Sequence, residues 1–152
     1  MKVLVVLAAC VLVCSAAAVD DAEREKAKQI KQQCKQEAGA TDADVSELKD
    51  KDELTSPAAK KMMACVFTKN KIMQNNKFSK EGSMEVARKL MAGRPGSEAK
   101  LKIAEQIAEN CNKEIGSVEA SGDEMAKLIF DCLKKQAKEY LTAMNFVPRE
   151  KV

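Results

Sequence analysis

The 152-residue chain has no histidine and no tryptophan, and aromatic residues make up only 3% of it. The missing histidine removes Ser-His-Asp triads, His-ligated zinc or haem, and the commonest general base. It also rules out the chemistry of the secreted helical phospholipases, whose disulfide-tied helices need a catalytic histidine. Scarce aromatics, with lysines and acids mixed along the whole length, leave no basic stripe or stacking platform for nucleic acid. No two of Cys34, Cys65, Cys111 and Cys132 are close enough to form a C-x2-4-C metal knuckle, so no metal and no cofactor is expected. No Asn-x-Ser/Thr acceptor occurs, so N-glycosylation is not expected. Asp, Glu and Lys are plentiful, but no spacing singles out a paired acid and base, and we expect no enzyme.

What is present begins at the N-terminus. Met1-Lys2 precedes an apolar run from Val3 to Val13, and Ser15-Ala16-Ala17-Ala18 follows. This is the pattern of a cleavable secretory signal, expected at 1–18. The run is too short to cross a bilayer, which takes about 20 residues, and no later segment is apolar enough, so no stable membrane insertion is expected. Cleavage would leave about 134 residues, a size for one domain over 19–152. Losing Lys2 would lower the formal charge of +3 by one. The mature chain should be soluble and extracellular.

Ala, Lys, Glu, Leu and Met dominate, and apolar residues recur at helical spacing, so the fold class is all-α. Six helices are expected. The first runs from about Asp21 to Ala38, with Ala27, Ile30, Cys34 and Ala38 inward and Gly39 as its stop. A short second follows Thr41-Asp42 and carries Val45 and Leu48. The third starts at Ser56 as N-cap with Pro57 in its first turn, and extends to about Met73. Residues 74–78 read as a loop. The fourth covers about Ser83 to Met91. After the turn Gly93-Arg94-Pro95-Gly96, Ser97 is expected to cap a fifth helix that ends near Gly116. The sixth begins by Asp123 and shows a near-ideal stripe through Tyr140. Beyond it lies an apolar tail, 141–152.

Cys10 and Cys14 fall in the signal segment, leaving Cys34, Cys65, Cys111 and Cys132. An even number in a small secreted chain points to disulfides that staple helices together. Four cysteines allow three pairings, and spacing alone does not choose among them; four free thiols are the alternative.

The third helix reads Lys61-Met62-Met63-Ala64-Cys65-Val66-Phe67 and continues to Ile72-Met73, followed by Asn76-Lys77-Phe78 and Gly82-Ser83. With the cysteine order, this resembles the insect odorant-binding proteins of the pheromone and general odorant-binding superfamily, from the first helix through Cys132. Two positions depart from the six-cysteine pattern. Lys61 stands four residues before Cys65 and Asp123 nine before Cys132, where the family would hold two cysteines that pair with each other. Losing both together is similar to the four-cysteine subgroup called Minus-C. The resemblance implies bridges Cys34–Cys65 and Cys111–Cys132. Lys61 and Asp123 carry opposite charges, and an ion pair between them could stand where the bridge is missing; two solvated side chains are the alternative. An exposed pair contributes about 0–1 kcal/mol against about 2–4 for a disulfide, so the domain should be more plastic than three-bridge relatives.

The expected architecture is therefore a compact bundle of about six short amphipathic helices, tied by two disulfides around an apolar cavity. Candidate ligand contacts on the inward stripes are Met63, Val66, Phe67, Met84, Leu90, Met91, Ile107, Met125, Ile129 and Leu133; ordinary core packing is the competing role of each. Seven methionines follow the signal segment, and flexible thioethers let a wall reshape around aliphatic or terpenoid ligands. Tyr140 could offer a hydroxyl at the pocket mouth or serve as an amphipathic surface anchor. Phe146, with Val147, could fold back as a lid, or the end could fray. The expected function is reversible carriage of small hydrophobic ligands such as odorants, pheromones, terpenoids or fatty-acid-like molecules. Beyond the ligand, a membrane receptor or a homodimer mate are the partners considered. The second reading is a secreted helical protein acting through protein–protein contacts in signalling or as a glandular structural protein.

Overall fold

Short polar residues set the helix starts, and the computed structural model, which describes residues 21–51 and 53–143, shows how. The expected signal segment and Phe146 lie outside the described residues. Helix α1 covers 21–38 and ends at Gly39, whose φ of 63° is the left-handed conformation of a helix C-terminus. Helix α2 (Asp42–Asp50) opens with a capping box, in which the Thr41 side chain accepts from the Asp44 N–H and the Asp44 carboxylate accepts from the Thr41 N–H. Helix α3 (Pro57–Lys69) starts at Ser56, whose hydroxyl accepts from the Ala59 N–H at 3.2 Å and donates to Asp44 at 2.5 Å. One carboxylate thus fastens the starts of two successive helices.

The expected extension of α3 to Met73 is corrected. The helix stops at Lys69, Lys71 turns into the left-handed region at φ 61°, and Met73–Gln74 (β1) pairs antiparallel with Lys77–Phe78 (β2). Asn75 and Asn76, both with positive φ (52° and 57°), make the tight turn of this hairpin; asparagine tolerates that conformation better than most residues. The expected loop is therefore a two-residue-strand hairpin whose Met73 and Phe78 are both buried. Apolar residues at 72 and 73 mimic one more helical turn, so the apolar periodicity runs on past the real end.

Helix α4 (Lys80–Met91) begins three residues before the expected Ser83, because the Ser79 hydroxyl accepts from the Gly82 N–H at 3.1 Å. Its polar first turn hides the start from a hydrophobic pattern. Gly82 is needed here: a Cβ on it would lie 1.8 Å from the carbonyl oxygen of Lys71. Helix α5 (Ser97–Ile115) includes Ser97 as its first residue; the N-cap is Gly96, at φ 70°, and no side chain caps it. Helix α6 (Gly122–Ala143) runs past Tyr140, so the first residues of the expected tail are helical.

Helix α3 packs on α6, α4 on α5, and α5 on α6. The main core gathers Phe67, Met73, Phe78, Met84, Ala108, Cys111, Ile115, Met125, Ile129 and Cys132. Within it, buried Gln136 is satisfied by accepting from Asn110 at 2.7 Å, across α5 and α6. The disulfides are Cys34–Cys65, joining α1 to α3, and Cys111–Cys132, joining α5 to α6, with Cα separations of 5.5 and 5.9 Å. This is the pairing the resemblance implies. Among residues 21–38 only Cys34 is buried, so α1 lies on the surface of the bundle.

Of the two alternatives for Lys61 and Asp123, the ion pair is not formed, but a neighbouring pair does join α3 to α6. Lys60 donates to Glu124 at 2.9 Å, while among the described residues Lys61 and Asp123 form no ion pair with each other. Lys61 is exposed on α3, whereas the Lys60 side chain is only 20% exposed and reaches across to the start of α6. No helix among the described residues is long and apolar enough to cross a membrane.

Candidate ligand-binding site

Because α1 touches the bundle along one side only, a groove of about 530 Å³ opens between α1, α3, the segment after α3, and α4. That volume falls within the usual range of small-molecule sites, about 300–1,000 Å³. Buried Met62, Phe67 and Ile72 form its floor, and half-buried Met63, Val66, Val86 and Ile30 its sides. Leu90, 46% exposed, stands at the mouth. Disulfide Cys34–Cys65 closes one end of the α1–α3 pair and sets how far α1 can stand from the floor. The close approach of Gly82 to Lys71 fixes α4 against the segment that follows α3.

Charge is confined to lysines and glutamates around the apolar floor. Glu85 accepts from Lys89 at 2.7 Å, one helical turn along α4. That hydrogen bond holds the Glu85 carboxyl below its usual range and the Lys89 ammonium above its own, so both stay charged at any physiological pH. Lys69 is paired with Glu37 of α1 at 3.0 Å, a second tie between the two helices. Among the described residues no cluster of three or more His, Cys, Asp or Glu could hold a metal ion.

The residues expected to touch ligand divide into three groups. Met63, Val66, Phe67 and Leu90 come together in the groove. Met84, Met125 and Ile129 belong to the packed core, with Leu133 packed against it. Met91, Ile107 and Tyr140 are half-buried and do not line the groove, and Phe146 lies outside the described residues. A stripe of apolar residues marks which face of a helix turns inward, but inward on α5 and α6 means toward solid core. The groove also uses Ile30, Met62, Ile72 and Val86, which were not among the expected contacts. The available signal was on α1: Ile30 sits one turn before Cys34, and the Cys34–Cys65 bridge had to bring that stripe against α3.

The PBP/GOBP family matches residues 16–136. General odorant-binding protein 28a of Drosophila melanogaster is 33% identical over 110 residues, covering 70% of this chain and 72% of that protein. General odorant-binding protein 19d of the same fly is 30% identical over 134 residues, covering 86% and 85%. Among solved structures, odorant-binding protein dmelOBP28a from Drosophila melanogaster superposes with a TM-score of 0.63 at 29% identity, over 80% of this chain and 97% of that one. The fatty acid binding protein OBP56a from the oral disk of the blowfly Phormia regina shares the fold, with a TM-score of 0.57 at 17% identity over 77% and 93%.

Proposed function

The chain belongs to the PBP/GOBP family, and from that premise we propose that it is a secreted carrier of small hydrophobic molecules, which it takes up in the groove between α1, α3 and α4. The observation that carries this reading is the groove itself, a ligand-sized hollow floored by Met62, Phe67 and Ile72. Relatives named for odorant binding, and a fold neighbour named for fatty acid binding, support cargo such as odorants, pheromones, terpenoids or fatty-acid-like molecules. The apolar N-terminal run, with its small-residue cleavage site, and two disulfides support an extracellular setting.

The mechanism is transfer of apolar surface. Each fully buried aliphatic side chain or its equivalent on the ligand contributes about 1.5–3 kcal/mol. A few such contacts, less the cost of ordering, reach about −8 kcal/mol, the micromolar range in which cargo both loads and leaves. Paired methionines, Met62 and Met63, can adjust the wall to different chains. No reaction is assigned to the site; the cargo leaves as it came. Delivery to a membrane receptor, or pairing with a second copy, would follow loading rather than create the site.

A hydrophobic fluorescent dye tests the reading. It should bind saturably in a ratio of about one to one and be displaced by long-chain alcohols or terpenoids. Leu90 is 46% exposed, so a ligand that covers it gains about half of its full transfer energy, ~1 kcal/mol. Leu90→Gln should therefore weaken the dye about fivefold and leave stability nearly unchanged. Absence of saturable binding to the wild-type chain would refute the carrier reading in favour of a protein-docking role.

A further inference from the structure

The polar groups of the groove are selective in kind. Among the described residues no serine, threonine or tyrosine lines it. Among the described lining residues the one neutral polar side chain is Asn70, and the Asn70 amide already donates to the Val66 carbonyl at 2.9 Å. A neutral alcohol or aldehyde therefore finds no hydroxyl partner there. Lysines, by contrast, come from both walls: Lys26 and Lys31 from α1, Lys69 and Lys71 from the end of α3 and just beyond it, Lys89 from α4. Lys69 and Lys89 are neutralised by Glu37 and Glu85. Lys26, Lys31 and Lys71 form no ion pair among the described residues; Glu23 and Glu85 are the acids of the described lining, Glu85 acting on Lys71 at longer range than on Lys89, and with Glu37 set against Lys69 the five lysines keep an excess of two positive charges.

We propose that the groove prefers single-chain amphiphiles with an anionic carboxylate head group, the chain lying on Met62, Phe67 and Ile72 and the head held between Lys26, Lys31 and Lys71. This deepens the carrier reading and rests on it. Lysine suits the task physically. Its four-carbon stem extends the apolar wall while the ammonium stays at the wet mouth. As a flexible point charge it follows a mobile head group without demanding one bidentate geometry. Like charges gathered over a low-dielectric floor also focus the field on an approaching anion. Lys71 is held in place by its own backbone: it sits at φ 61° with its carbonyl against Gly82.

The test compares dodecanoate, dodecanol and methyl dodecanoate as competitors of a neutral fluorescent dye, at neutral pH and low ionic strength. Wild-type protein should bind the carboxylate about five- to tenfold more tightly than the alcohol or ester, as expected of several exposed charge contacts acting together. In Lys26→Gln/Lys31→Gln/Lys71→Gln that ratio should fall to about one, with dye and dodecanol affinities changing together as the apolar stems shorten. The corresponding triple arginine variant should keep it, and high salt should erode it in the wild type. Equal affinities for acid and alcohol in the wild type, or a preference that survives in the glutamine variant, would overturn the head-group assignment and leave the carrier reading intact. If the dye itself fails to bind wild-type protein, the carrier reading falls with it.

Discussion

Cutting the Cys34–Cys65 bridge should release α1 without unfolding the rest of the protein, and the size of the effect separates local from global roles. The bonded cysteines are 31 residues apart, against 21 for Cys111–Cys132. If each bond acted only by restricting the unfolded chain, removing it would cost about 3.7 and about 3.3 kcal/mol respectively, a nearly equal loss. Their settings differ, however. Cys111 and Cys132 sit within the main core, and α5 and α6 pack along their length around them. Cys34 is the only buried residue among 21–38; the other ties of this stretch include the exposed pairs Lys69–Glu37 and Lys35–Asp42. A helix of about this length is marginal in water when nothing packs against it. Cys34→Ala/Cys65→Ala should therefore melt 21–33 locally. Amide protection there should vanish in hydrogen exchange, the groove should lose a wall, and dye affinity should drop at least about tenfold. Global stability in urea should fall by clearly less than about 3.7 kcal/mol, because α1 would already be loose in the native state. Cys111→Ala/Cys132→Ala should instead lower global stability by about 3 kcal/mol or more. Preserved protection across 21–33 with unchanged dye binding in the first variant would refute this account, and so would equal global losses in the two variants.

Other consequences are checked more directly. Gly82→Ala places a methyl 1.8 Å from the Lys71 carbonyl oxygen, so it should cost about 3 kcal/mol or more in denaturant unfolding and weaken dye binding by moving α4. A double-mutant cycle on Lys60 and Glu124 should give a coupling of about 0.2–1 kcal/mol, while the same cycle on Lys61 and Asp123 should give none. Asp44 is held at a pKa of about 2, first by the Ser56 hydroxyl and then by Thr41. A depressed carboxyl stabilises above its unfolded pKa and loses that contribution as pH falls through the folded one. Asp44→Asn should thus be less stable than wild type at neutral pH, and the gap should close between about pH 4 and pH 2 in thermal melts. Ligand affinity should stay flat between pH 7 and about pH 6, since the chain has no histidine and the groove's Glu85 is held below its usual range; a sharp loss in that interval, followed by dye titration, would contradict this.

Ser56 with Pro57, Thr41 with Asp44, and Gly39 all act locally, so the boundaries they set were legible in the chain. Ser79 also acts locally, but the polar turn after it concealed the start of α4. The end of α3 was not legible, because Ile72 and Met73 continue the apolar rhythm while serving a hairpin; only contact with Phe78 and the core separates the two uses. Opposite charges at 61 and 123 leave an ion pair and two solvated side chains equally open. Which neighbours meet depends on the rotation of two helices about their axes, and that rotation brings Lys60 to Glu124 instead.

The sequence by itself determined an all-α fold class, four cysteines on helical faces and the family to which they belong, because periodicity, caps and cysteine order are written along the chain. Only the tertiary structure decided which inward faces meet solid core and which leave a hollow. Met84, Met125 and Ile129 carry the same apolar signature as Met63 and Val66. What separates them is whether a helix lies across them at packing distance, and over the second group the surface helix α1 stands off far enough to leave room for a ligand.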